Sequence, residues 1–193
     1  MSKADQLKWD AKYSQPDHQI EGGEASYMLK RFADQASGKR ALDVASGTGR
    51  NALYLAARGF EVEALDISPV GLQRLEREAQ GLTGVVQTKQ VDLEGYVPPR
   101  DCYDLIVVTN YLNRPLIPHL GRALRLSGIL VMDTFMVDER NQKNTHRPEY
   151  LLKRDEFLDY FHTGFEVLQF EDYCREPSGC GMWKQAIAVR RTG

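Results

Sequence analysis

Cysteine is scarce in this 193-residue chain, and Cys102, Cys174 and Cys180 are an odd set. Three thiols make no disulfide framework. Cys174 and Cys180 lie six apart without partnering histidines, which is not the ligand spacing of a zinc site, so no metal is expected. His18, His119 and His162 have no Cys, Ser or acid at catalytic spacing and read as solvated surface residues. An excess of one charge is also missing. With 25 Lys and Arg against 27 Asp and Glu the net charge is −2, so the chain lacks the basic field that nucleic-acid binding relies on. Long hydrophobic runs are absent too. The longest, near residues 129–137, is broken by Asp133 and Thr134 and falls far short of the ~20 residues that span a bilayer. Residues 1–8 contain no apolar core of a signal peptide. Neither a nucleic-acid nor a membrane partner is expected, and a cytoplasmic location is. No repeat or low-complexity linker divides the chain, whose length suits one α/β domain over residues 1–193.

What the chain does have is an apolar run at 40–44, a loop carrying Gly47 and Gly49, and an apolar helical pattern from Arg50. That order reads as strand, tight turn and helix, the unit with which α/β proteins cradle nucleotide-like ligands. Glycines let the backbone approach a ligand and adopt positive φ, while the first amides of the helix point at the same place. A dinucleotide fingerprint requires a third glycine inside the helix, where this chain has Arg50, Asn51 and Ala52. Asp43, four residues before Gly47, is placed to order the loop or to accept from a ligand ammonium. An anion there would repel a pyrophosphate.

The pattern Asp43-x-Ala45-x-Gly47-x-Gly49 resembles the first motif of the class I S-adenosylmethionine-dependent methyltransferases, acidic-x-Gly-x-Gly-x-Gly. Ala45 stands at the first glycine. The resemblance implies S-adenosylmethionine as cofactor, S-adenosylhomocysteine as product, and cofactor contacts from Asp43, Ala45, Ser46, Gly47, Gly49 and Asn51. The next strand, 60–66, ends at Asp66, 23 residues beyond Asp43. In a doubly wound sheet that spacing puts a carboxylate where it can accept from both ribose hydroxyls, with Ile67 beside it. A local turn-capping role for Asp66 is the alternative. Ser68 and Pro69 open the following helix as N-cap and first helical residue. A third strand over 85–91 leads to Asp92 and Leu93, to which the resemblance assigns the adenine amino group and ring; turn capping by Asp92 is again the alternative. Before the first strand, helical segments at 9–13 and 25–32 flank a polar loop. Family resemblance implies that residues 1–36 form a lid, with Trp9 and Tyr13 over the cofactor; packing of aromatics explains them equally well.

The fourth strand, 105–108, is uniformly apolar and suits a central parallel position. Ligands lie beyond the carboxyl ends of such strands, so Thr109 is a cofactor candidate and Asn110, Tyr111 and Arg114 are candidates for the transferred methyl or its acceptor. A helix near 116–126, a strand near 128–135, a helix near 153–162 and a closing pair at 165–170 and 183–189 complete the expected fold. It is an α/β, Rossmann-like doubly wound seven-stranded sheet, mostly parallel, with a C-terminal antiparallel hairpin. The long polar stretch 137–150, which bears His146 and Arg147, leaves the ligand side and joins the catalytic candidates. Together with the segments at 111–115 and 133–135, residues 147–152 resemble the small tellurite-resistance-type methyltransferases.

No Asp-Pro-Pro-Tyr, His-Asp pair or metal-binding acid group supplies an obvious base. That favours a small-molecule acceptor already nucleophilic, a soft anion or thiol-like group such as tellurite, selenite or a thiol, with Arg114 and Arg147 offering forks for oxyanions. The alternatives are a non-catalytic S-adenosylmethionine-binding protein and an NAD-type oxidoreductase, the latter lacking its third glycine and a Tyr-x-x-x-Lys pair. The oligomeric state is left open.

Overall fold

The computed structural model describes residues 3–15, 23–141, 147–174 and 181–193. Among them seven strands form one sheet in the order β3-β2-β1-β4-β5-β7-β6. The strands are β1 (Arg40–Val44), β2 (Glu61–Asp66), β3 (Val85–Gln90), β4 (Tyr103–Thr109), β5 (Leu124–Phe135), β6 (Phe165–Tyr173) and β7 (Lys184–Arg191). Strands β1 to β5 pair in parallel, while β7 runs antiparallel between β5 and β6. The chain order reverses between β1 and β4. This is the switch point at which open α/β sheets bind ligands.

Helices α1 (Lys3–Tyr13), α2 (Tyr27–Phe32), α3 (Arg50–Ala56), α4 (Pro69–Glu78), α5 (Ile117–Ala123) and α6 (Glu156–Tyr160) flank the sheet. Two apolar clusters, one per face, explain why the central strands have no polar alternation. On one face Met28, Leu29, Leu55 and Leu75 pack against Ala41, Val62, Leu105, Val107 and Val131. On the other, Leu116, Ile117, Leu120 and Phe157 cover Leu42, Ile106, Leu130 and Met132. All seven residues of β4 are buried, as a strand covered on both sides requires.

Two expected boundaries need correction. The helix near 116–126 ends at Ala123, and β5 begins at once with Leu124. The stretch Leu124-Arg125-Leu126 alternates, so it serves a strand as well as a helix, and a register shift between Tyr103 and Leu105 lets β5 start that early. The helix near 153–162 is the single turn-and-a-half of α6, entered through Asp155 at φ +60°.

A candidate cofactor and methyl-transfer site

The loop from β1 to α3 is built from left-handed residues. Ala45 and Gly47 both lie at φ +57°, and Gly49, the N-cap of α3, at +91°. A Cβ on Gly49 would come within 2.1 Å of Leu75, so that glycine is needed for helix α4 to pack close. Ala45 holds the same backbone region with a Cβ, at a cost of about 1–2 kcal/mol. The loop is tied down by Ser46 N donating to Leu65 O and Gly49 N to Ser46 O, both at 2.9 Å. Its hydroxyls are not: Ser46 Oγ and Thr48 Oγ1 are buried without a hydrogen-bond partner. Unpartnered polar atoms on a left-handed loop at the carboxyl edge of the sheet fit a polar ligand lying against that loop.

Asp43 lies below the loop, buried, and its Oδ2 accepts from Ala52 N at 3.0 Å in the first turn of α3. Its Oδ1 has no hydrogen-bond partner. Burial, partly offset by the Arg50 charge, pushes its pKa up to about 7. Asp66 ends β2 and clamps two segments. Its Oδ2 accepts from Gly47 N and its Oδ1 from Ser68 N, each at 2.8 Å. It therefore caps its own turn and also pins the glycine loop; burial raises its pKa while these amides pull it down. Ile67 is buried next to it.

Helix α1 lies across α4 and closes over this place. A Cβ on Gly47 would meet Tyr13 Oη at 2.7 Å, and one on Gly71 would meet Tyr13 Cδ2 at 2.9 Å. Tyr13 thus rests on both glycines, stacked on Trp9 at 5.5 Å and held by Arg74 donating to its carbonyl at 2.8 Å. Its phenol pKa is raised by burial and by the Asp66 charge. At the opposite end, Asp92 is exposed and its Oδ1 accepts from Glu94 N at 2.9 Å, while Leu93 is buried with its carbonyl receiving Asn113 Nδ2 at 2.9 Å.

Beyond β4 polar groups from several elements meet. Asn51 accepts from Ser26 N at 3.0 Å and donates to Thr109 Oγ1 at 3.0 Å; Arg50 reaches the same oxygen at 3.2 Å. Asn110, at φ +58°, accepts from Lys184 Nζ at 2.5 Å. Tyr111 is part-buried, and Asn113 lies 3.4 Å from its hydroxyl. Arg114 does not face this set. Its guanidinium is bound twice by Glu156, at 2.6 and 2.9 Å, and by the carbonyls of Glu149 and Leu151. Its fork thus anchors the segment after the long loop. Arg147 is exposed and pairs with Glu149 only at 4.0 Å. His146 lies outside the described residues. Among those described, no group of His, Cys, Asp and Glu is placed to hold a metal ion, and no helix is long and apolar enough to cross a membrane.

Polar residues that the sequence reading did not name as site candidates join this network. Asp133, noted there as a break in an apolar run and as part of the 133–135 segment, is buried on β5 opposite Thr109. Its Oδ2 accepts from Tyr173 Oη at 2.6 Å and Ser26 Oγ at 3.2 Å, and Lys184 Nζ lies 3.8 Å from Oδ1. An acid inside an otherwise apolar central strand was the available signal. Its partners were not readable, because they come from α2, β6 and β7.

Sheet order, reversed last strand and left-handed loop between β1 and α3 together define the class I S-adenosylmethionine-dependent methyltransferase fold. Comparison with known proteins agrees. A family model described as a methyltransferase domain matches residues 41–128. The magnesium-protoporphyrin O-methyltransferase of Rhodobacter capsulatus is 33% identical over 101 residues, 50% of this chain but only 43% of that protein. Among solved structures, TehB of Haemophilus influenzae matches with a TM-score of 0.70 at 20% identity, over 86% of this chain and 61% of that chain. The phosphoethanolamine N-methyltransferase 2 of Haemonchus contortus, solved with phosphomonomethylethanolamine and S-adenosylhomocysteine, matches with a TM-score of 0.68 at 18% identity, over 86% and 52% of the two chains. At such identities the solved structures establish the fold alone.

Proposed function

We propose that this chain transfers a methyl group from S-adenosylmethionine to a small-molecule acceptor, a soft anion or thiol-like nucleophile. The observation that carries the reading is the left-handed loop 45–49, clamped by Asp66 and bearing the unpartnered hydroxyls of Ser46 and Thr48. Loop 45–49 would hold the methionine part, Asp66 the ribose, and Asp92 with Leu93 the adenine. Tyr13 on α1 would lie over the bound cofactor as part of an N-terminal lid within one domain.

When bound, the cofactor supplies an activated methyl on a sulfonium. What the protein adds is distance and angle for an in-line displacement, an effect worth on the order of 7–11 kcal/mol. Thr109, Asn110 and Tyr111 stand at the end of β4, where the acceptor would meet that methyl. Arg147, exposed and weakly paired, would attract an anionic group on the acceptor. The near-balanced charge argues against nucleic acid. The test is retention of labelled S-adenosylmethionine by the purified protein, followed by turnover with a panel of selenite, tellurite and small thiols. Retention with methylated product supports the reading; retention of NAD in its place refutes it.

A further inference from the structure

We propose that two copies of this chain pair through the outer edge of β3, strand against strand in antiparallel, joining their two sheets into one. The inference is independent of the reaction and concerns what covers an edge that the fold leaves open.

Strand β3 is the last on its side of the sheet and is bonded only to β2. Val85 N donates to Phe60 O and Val91 N to Asp66 O, so in this parallel ladder residues 85, 87 and 89 turn their backbone groups toward β2. Val86, Thr88 and Gln90 turn theirs outward. Their N–H and C=O groups stand in a row with no strand beside them, a template for another chain. The far edge of the sheet is different. There the register of β6 shifts between Val167 and Gln169, which disrupts a regular ladder, whereas β3 keeps its register with β2 over all 6 residues and contains neither proline nor glycine.

One face of β3 is open as well. The crossovers from β1 to β2, β2 to β3 and β4 to β5 carry α3, α4 and α5, but the one from β3 to β4 carries no helix. Val85, Gln87 and Lys89 on that face are exposed, Val85 by 53%.

The residues on this face select a second copy as the occupant. From the amino to the carboxyl end of β3 the face reads Val85, Gln87, Lys89, and Glu61 lies beside Val85 on β2. In an antiparallel pair centred on Gln87, Lys89 of each copy comes opposite Val85 of the other, and the outward groups of Val86 and Thr88 exchange hydrogen bonds. The Lys89 stem then covers the exposed valine and its ammonium extends to Glu61 of the second copy. Two strand spacings, about 10 Å, separate those two backbones, a gap that a lysine and a glutamate bridge together. Each such match occurs twice, because a two-fold contact repeats every pair. Both charges are available for it. Among the described residues neither Glu61 nor Lys89 forms an ion pair; Lys89 Nζ lies 5.6 Å from the centre of the Tyr96 ring. Arg40, beside Glu61 on β1, lies over the Tyr103 ring, and Glu63 holds the Tyr103 hydroxyl at 2.7 Å. Two acids and two cations on one face balance, so a copy meets its like without net repulsion. The two-fold axis is perpendicular to the sheet, so the carboxyl edges of the two copies point opposite ways and each keeps its own cradle.

The test is sedimentation equilibrium of the purified chain from about 1 to 200 µM, in wild type, Lys89→Glu, Glu61→Lys, the variant carrying both changes, and Thr88→Pro. Wild type is expected to pass from one chain to two as concentration rises. Each single charge reversal weakens association about tenfold or more, because like charges then face each other, and the double reversal restores it to within about fivefold. Thr88→Pro removes an outward N–H that β2 does not use and weakens pairing about tenfold or more as well. Circular dichroism certifies each variant, and the charge reversals decide if Thr88→Pro fails that check. A wild type that remains a single chain throughout, association indifferent to either reversal, a double variant no stronger than the singles, or a folded Thr88→Pro that pairs as tightly as wild type overturns the inference.

Discussion

Asp66→Asn separates the two tasks that the structure gives this residue. The native carboxylate accepts one backbone amide from the glycine loop and one from its own turn, both at 2.8 Å in a buried position. Asparagine keeps one accepting oxygen and turns an NH2 toward the other amide, leaving a buried N–H without a partner. That loss costs about 1–3 kcal/mol, which lowers Tm by about 2–12 °C for a chain of this size. Binding of S-adenosylhomocysteine loses charge-assisted hydrogen bonds worth about 1.5–3 kcal/mol, weakening it roughly 10- to 150-fold. Thermal unfolding followed by circular dichroism reads the first effect and calorimetric titration below the new Tm the second. Lower stability with unchanged affinity would refute the ribose role and leave Asp66 as a loop clamp. Unchanged stability would refute the clamp itself.

Gly47→Val should abolish cofactor binding, because its side chain would enter the space of the ligand and of Tyr13 and resist φ +57°; a normal ligand-induced thermal shift would show that the loop is an ordinary turn. Asp43 gives a stability slope. Its native pKa is raised to about 7, so from about pH 4 upward the unfolded chain releases this proton more readily than the native one, and the stabilisation falls until about pH 7. Urea unfolding between pH 4 and 8 should show that decline in wild type and a flatter profile in Asp43→Asn; parallel profiles would contradict the assignment. Arg114→Ala should cost about 2–3 kcal/mol by releasing Glu156 and two carbonyls. Arg147→Ala should leave stability within about 0.5 kcal/mol and raise KM for mercaptoacetate but not for 2-mercaptoethanol. An inverted pattern between the two arginines would overturn their assignments.

The cradle was legible because it is local: Asp43 to Asn51 is one contiguous stretch, and Asp66 follows at a spacing that parallel topology fixes. The mostly parallel seven-stranded sheet with its antiparallel hairpin was legible through the family resemblance, and the central place of β4 through the uniformly apolar 105–108 run. The start of β5 was not, since Leu124-Arg125-Leu126 satisfies helical and strand periods alike and only the bulge at Tyr103–Leu105 decides between them. Arg114 is exposed to no sequence signal of its true partner: Glu156 lies 42 residues away, across a long loop. The Asp133 cluster was hidden for a similar reason. It assembles only when β7 inserts antiparallel between β5 and β6, bringing Lys184 and Tyr173 to the carboxyl edge that β4 and β5 reach from the other direction.

The most direct measurement is a pair of calorimetric titrations of the purified chain, one with S-adenosylhomocysteine and one with NAD. The account predicts saturable binding of S-adenosylhomocysteine at one site per chain, lost in Gly47→Val, and no binding of NAD. Binding of NAD, or S-adenosylhomocysteine binding that survives Gly47→Val, would contradict it.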